Sequence, residues 1–227
     1  MASITYTLPR FPLLNQRTEA SNPNDDCVFT SNAAIVRYFY GGNITGSDIK
    51  AKDADYGPKY VGFASQSRIL DTMASLGVRF ARVAHPTQAD LITELHRQIS
   101  YYHQPCIITM PSQWNSAPTT VKGYNPRTYN GYSHVSVMCG SGPSMLRAMN
   151  PWGGFWQDQP DSWWAQRLLY GEIWVGVYRP IVPVVAPVQA TPAPSPAPTG
   201  VSTATTSTVV TVADLQAKIA TAIKALS

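Results

Sequence analysis

Hydrophobic positions along the chain switch between a helical and a strand period, and the switches divide it into elements. Val28, Ile35, Val36 and Phe39 recur at helical spacing and Gly41-Gly42 closes the run. A helix is therefore expected from Val28 to about Tyr40, with Asp26 as its N-cap and Cys27 at the first helical position. Ile69, Leu70, Met73 and Leu76 predict a second helix, starting at Ser65 or Ser67 and stopped by Gly77. Val78 to Ala84 alternates as a strand. Thr87 to Asp90 carries a start signal for a helix from Gln88 to about His103, with Leu91, Ile92 and Leu95 inward. Cys106 to Met110 reads as a short buried strand. The turn-rich segment up to about Asn24 and the interval 43 to 64 show little periodicity and read as extended chain or loop.

A β-hairpin follows a long polar loop at 111 to 130. Its first arm, His134 to Cys139, is apolar apart from the histidine and Ser136. A Gly140-Ser-Gly-Pro143 turn leads into the second arm, Met145 to Met149, which runs on into Asn150-Pro151-Trp152-Gly153-Gly154. Asp161 to Leu169 predicts a helix and Ile173 to Tyr178 a last strand. Helices followed by a run of antiparallel strands make an α+β order, not an alternating βαβ one.

Composition bounds what this domain does. The chain has 227 residues, 44% of them apolar and 13% charged, with a net charge of +4. It is basic without any Lys/Arg cluster, so no specific nucleic-acid partner is expected, whereas a polyanionic surface such as a bacterial wall suits it. Cys27, Cys106 and Cys139 are widely spaced, with no CxxC pair, which argues against a disulfide scaffold or a structural zinc site. Cys106 and Cys139 fall in apolar strands and read as core. His85, His96 and His103 read as surface or capping residues. Neither a signal peptide nor a membrane span is recognisable, so synthesis in the cytoplasm is expected.

Beyond Pro180 the composition changes, with no charged residue before Asp214. Residues 1–180 are read as the domain and 181–210 as a Pro/Ala/Ser/Thr-rich linker. Residues 211–227 are read as a short amphipathic helix, with Val212, Leu215, Ile219, Ala222 and Leu226 at a/d spacing. So short a helix is marginal alone, which predicts self-association or docking on a partner.

The chemistry concentrates in the hairpin. His134 opens one arm and Asn150 ends the other, so pairing the arms brings them together. A histidine held by an amide is the orienting half of a nucleophilic site. Cys27 is the candidate nucleophile, because the partially positive N-terminus of a helix favours a thiolate. The neighbouring Asp25 and Asp26 oppose this unless Asp26 is spent on capping.

The order Cys, His, Asn in these surroundings resembles the papain-like cysteine peptidases, and most closely their bacterial and phage C39-like members. The resemblance rests on Gln16, on Cys27 in DDCVFTSNAAIVRYFYGG, on His134 in GYSHVSVMCGSG and on Asn150 in AMNPWGG, and spans roughly Leu8 to Tyr178. It implies a papain-like α+β fold in which a central N-terminal helix packs on a small antiparallel sheet. It also implies peptide-bond hydrolysis without a cofactor: Cys27 is nucleophile, His134 base and Asn150 orienter. Gln16 is then the oxyanion donor, with Asn22 or Asn24 as alternatives. Val28 departs from the Gly usual after the nucleophile. With the linker and mild basicity, the resemblance extends to phage-type endolysins that cut peptidoglycan peptides, released to the wall on lysis or carried in a virion. A protein-processing peptidase, and a non-catalytic papain-like binding or virion module, are the alternatives. Trp114, Trp156 and Trp163 are candidates to line a substrate groove, and Trp152 to cover the His134–Asn150 bond.

Overall fold

The computed structural model describes residues 3–112 and 124–178, which belong to one unit of the chain. The predicted linker, the C-terminal helix and Trp114 lie outside the described residues. In chain order the elements are β1 (Tyr6–Thr7), α1 (Gln16–Glu19), α2 (Cys27–Tyr40), α3 (Gly46–Lys52) and α4 (Leu70–Ser75), the last preceded by a 3-10 turn at Gln66–Arg68. Then follow β2 (Val78–Ala84), α5 (Gln88–Ser100), β3 (Cys106–Pro111), β4 (Ser133–Gly142), β5 (Met145–Asn150), β6 (Phe155–Pro160), α6 (Asp161–Ala165) and β7 (Glu172–Tyr178). The strands form an antiparallel sheet in the order β2-β7-β3-β4-β5-β6, with β1 added on β4. This is the α+β architecture expected.

The sheet is a chain of adjacent antiparallel pairs. Val78 to Ala84 pair along their whole length with Tyr178 to Glu172, and Cys106 to Pro111 with Met138 to Ser133. Strand alternation puts Arg82, Thr109, Val135 and Trp174 on one face. Helix α2 packs on that face: Ile35 approaches Gly176 so closely that a Cβ there would stand 3.2 Å from its Cγ2. Helix α5 covers the other face, where His96 meets Ser141, the register partner of Leu146. The buried core runs between these layers, through Phe29, Ala33 and Ile35 of α2, Leu91, Leu95 and Ile99 of α5, and Ile107, Ile108 and Val137 of the sheet.

Several elements differ from expectation. Residues 43–64 contain helix α3, built on a Thr45/Asp48 capping box whose side chains and backbone groups bond reciprocally. Strand β6 follows Gly154, where no element was expected before Asp161, and the short β1 and α1 occupy the segment read as extended. The hairpin turn sits at Pro143-Ser144 with Ser144 at φ 58°, so Gly140 to Gly142 continue β4. A Cβ on Gly142 would lie against the Ser3 carbonyl, so glycine there lets the N-terminal segment approach β4. Helix α6 ends at Ala165, four residues before Leu169. Gly77 stops its helix with φ 82°, as predicted.

Candidate active site

The site forms where β5 stops short of β4. The last register pair between the two strands is Val137 with Met149, so β4 continues toward Ser133 without a β5 neighbour. The first two turns of α2 dock on that free edge. The Val135 backbone lies near the Cys27 thiol and favours its charged form, and Ser31, four residues on, donates to the Val135 carbonyl at 3.3 Å. Cys27 and Ser31 share a helix face, so the Ser31 bond to Val135 anchors the helix start near His134.

His134 and Asn150 meet as the hairpin pattern predicts. The imidazole Nε2 and Asn150 Oδ1 are 2.9 Å apart, with His134 5% exposed and Asn150 fully buried. Because the amide oxygen only accepts, Nε2 carries the proton and Nδ1 is the basic nitrogen. Among the described residues Nδ1 has no hydrogen-bond partner. Asn150 is held in turn: its Oδ1 also accepts from the Trp152 backbone at 3.0 Å, and its Nδ2 donates to Gln157 Oε1 at 3.0 Å. Trp152 thus reaches the pair through its backbone, while its ring stacks under the Arg17 guanidinium, 5.2 Å from the ring centre.

Gln16 joins the same neighbourhood from the N-terminal side. Its backbone N–H donates to the Pro151 carbonyl at 2.8 Å, directly after Asn150. The preceding Asn15 lies against Gly154, where φ is 62° and a Cβ would come within 2.8 Å of Asn15 Cβ. Gln16 is fully buried; its Nε2 donates to the Pro23 carbonyl at 2.7 Å, and its Oε1 has no partner among the described residues. One Nε2 hydrogen remains beyond the Pro23 bond. Of the two alternatives, Asn22 has its amide on Asp25 at 2.8 Å, and Asn24 is exposed on the same loop.

Asp26 departs from its expected role. It occupies the N-cap position of α2, but its side chain makes no cap hydrogen bond. It forms instead a buried ion pair with Lys50 of α3, at 2.9 and 3.1 Å from the two carboxylate oxygens. The cation lies on a helix that periodicity did not reveal, although the Thr45/Asp48 box marks its start.

Burial dominates the electrostatics. It pushes the Cys27 thiol up to about 11, against hydrogen bonds from the backbone of Val135, Val28 and Cys27 itself, with a further upward push from Asp26. Burial pushes the His134 imidazole down to about 4, opposed by its bond to Asn150. Burial therefore favours the neutral thiol and the neutral imidazole near pH 7. Cys106 and Cys139 are fully buried core residues, also pushed up by burial.

A groove of about 570 Å³ opens beside Val135, lined among others by Phe63, Arg82, Thr109, Glu172 and Trp174. Its size suits a peptide side chain or a small ligand. Trp156 and Trp163 do not line it, and Trp174 does. No sequence signal marked Phe63 or Arg82, because Phe63 comes from the loop before α4 and Arg82 from edge strand β2. Among the described residues no cluster of three or more His, Cys, Asp or Glu could hold a metal ion, and no helix is long and apolar enough to cross a membrane.

A helix opening on a cysteine packs across an antiparallel sheet that carries histidine and asparagine on adjacent strands, an α+β fold of the kind seen in C39-like peptidases. Among solved structures, the chain is similar to a crystal structure assigned as a C39-like peptidase from Bacillus anthracis. The two are 15% identical, with a TM-score of 0.53 over 79% of this chain and 98% of the other. It is also similar, at 13% identity and a TM-score of 0.49 over 78% and 97% of the two chains, to a double-glycine-motif protease from an AMS/PCAT transporter in complex with its leader peptide. No protein-family model matches the sequence, and no curated protein matches it.

Proposed function

We propose that the domain is a cysteine peptidase acting through Cys27, His134 and Asn150. The observation that carries this reading is the His134 Nε2–Asn150 Oδ1 bond of 2.9 Å, which commits one ring nitrogen and leaves Nδ1 as base on the strand that anchors Cys27. His134 Nδ1 takes the thiol proton as sulfur attacks the peptide carbonyl, so the ion pair forms in the reaction and not in the resting site. The Cys27 backbone N–H and the remaining Gln16 Nε2 hydrogen stabilise the oxyanion. The intermediate collapses to a thioester as the imidazolium protonates the leaving amine. Water then attacks the thioester with His134 as base, releasing the acid and restoring the thiol. Each step uses groups of this chain, and no cofactor is called for.

The substrate we propose is the peptide of peptidoglycan, cut by an endolysin-type enzyme that reaches the bacterial wall on lysis or in a virion. The net charge of +4 favours a polyanionic wall, and the sequence beyond the domain is rich in Pro, Ala and Thr, as a spacer would be. Purified protein incubated with cell-wall sacculi should release new amines and shortened stem peptides detectable by mass spectrometry, and Cys27→Ala should release none. Cleavage of a polypeptide without any attack on sacculi would move the enzyme to protein processing. Absence of both activities in folded protein would leave a non-catalytic binding module.

A further inference from the structure

We propose that Lys50 is a positioning residue for Cys27: its ammonium neutralises the carboxylate that immediately precedes the thiol and fixes the loop that holds Gln16. The inference rests on the cysteine-peptidase reading above. Lys50 is 1% exposed and Asp26 is fully buried. The Asp26 carboxylate takes the Lys50 ammonium on both oxygens, the Asn22 backbone N–H at 2.8 Å and the Ser21 hydroxyl at 3.3 Å. The rings of Phe29 and Tyr60 stand 5.6 and 6.0 Å from the ammonium and shield it.

Those bonds organise the loop from Ser21 to Asp26 around one carboxylate. The loop also presents the Pro23 carbonyl, which receives Gln16 Nε2. A single buried cation thereby sets both the start of α2, where the thiol sits, and the orientation of the glutamine amide.

Its second effect is electrostatic. A negative charge directly before a nucleophilic cysteine opposes thiolate formation. The charged and titratable groups around Cys27 are Asp25 and Asp26 on its own segment, Lys50 on α3 and His134 on β4. Asp25 is hydrogen-bonded by the Asn22 amide, so Lys50 is the cation that balances Asp26. A sequence bearing two aspartates before its nucleophile is hostile to a thiolate until Lys50 arrives from another helix.

The test is alkylation of the full chain by iodoacetamide across a pH series, with the Cys27 peptide followed by mass spectrometry and folding checked by near-UV circular dichroism. Lys50→Met should raise the midpoint of Cys27 labelling by about one pH unit, slowing it about tenfold at neutral pH. Asp26→Asn, which leaves the ammonium unbalanced, should move the midpoint the other way. The double variant Asp26→Asn/Lys50→Met should return toward wild type. An ion pair serving structure alone would lower melting temperatures without these opposed shifts, and equal midpoints in folded single variants overturn the proposal. Should Lys50→Met not fold, Asp26→Asn decides: a lowered midpoint supports the proposal and an unchanged one overturns it. His134→Ala separates the two readings. If wild-type labelling is indifferent to His134, the peptidase reading fails, while the opposed shifts still judge Lys50.

Discussion

Two histidine-centred clusters lie at opposite ends of β4, and in each one ring nitrogen is held by an amide or carboxylate oxygen. At one end His134 joins Asn150 beside Cys27. At the other, His96 Nδ1 stands 2.7 Å from Ser141 Oγ while its Nε2 stands 3.0 and 3.1 Å from the Asp161 carboxylate. The second cluster has the connectivity of a Ser-His-Asp triad. What differs is everything around the reactive atom. Ser141 lies beside β1, whose Tyr6 is its register partner, and its carbonyl receives the Thr5 N–H at 3.1 Å. The described groove opens beside Val135 and not beside Ser141. Cys27 has a helix N-terminus and a strand edge left free by β5, and Ser141 has neither. A nucleophile, a base and an orienter in contact make a clamp; a free edge, nearby N–H donors and a groove make a site.

The largest effect expected breaks the comparison outright if it fails. Cys27→Ala should reduce peptide hydrolysis by at least about 10⁴-fold, as loss of a nucleophile does in enzymes of this mechanistic type. Ser141→Ala should leave kcat/KM within about twofold. Initial rates on one peptide substrate decide it, and a folded Ser141→Ala protein without activity would make the wrong end of β4 the site.

Next in size is a dependence of stability on pH that belongs to His134. Burial holds its folded value near 4, below the ordinary 6.5. Between those values the unfolded chain binds a proton that the folded one refuses. The contribution is therefore complete above about pH 6.5 and is lost as pH falls toward 4. It amounts to at most about 3 kcal/mol. Urea midpoints measured at pH 7, 5.5 and 4.5 should fall in that order, and His134→Gln should flatten the series. A wild-type stability that rises on acidification through this window would contradict the buried neutral imidazole.

Much of this was legible in the residues. Val78–Ala84 emerged with its observed bounds because Gly77 ends the helix before it and apolar and polar residues interleave along this edge strand. The sixteen-residue step from His134 to Asn150 predicted their contact, since hairpin pairing is local and the arms are close in sequence. Cys27 at the opening of α2 followed from placing Asp26 at the N-cap, a position it occupies without a capping bond. What stayed hidden depends on partners distant in sequence. β1 has two residues and exists because β4 lends it hydrogen bonds. β6 carries Gln157 and Asp158 in a stretch whose polar character masks a strand; Asp158 pairs with Arg147 across the ladder. Asp26 reads as a cap by type and position, yet it serves Lys50, twenty-four residues away. His96 reads as a surface residue on helix spacing alone, because nothing in α5 reveals that Ser141 and Asp161 will face it.

That second cluster supplies the smallest effect and the sharpest limit on its importance. His96 and Asp161 are about one-quarter exposed, so solvent screens their interaction. Asp161 also opens α6, whose Trp164 donates its indole N–H to the Leu146 carbonyl at 3.1 Å and packs fully buried. The clamp thus ties α5 to α6 and β4, on a base already secured by that tryptophan. Asp161→Asn keeps a hydrogen-bonding side chain and removes the charge. It should cost less than about 1 kcal/mol, with the difference shrinking in high salt. Chemical denaturation at low and high ionic strength measures this, alongside an unchanged hydrolysis rate. A cost of several kcal/mol would mean that the clamp, and not the Trp164 anchor, holds α6 to the sheet.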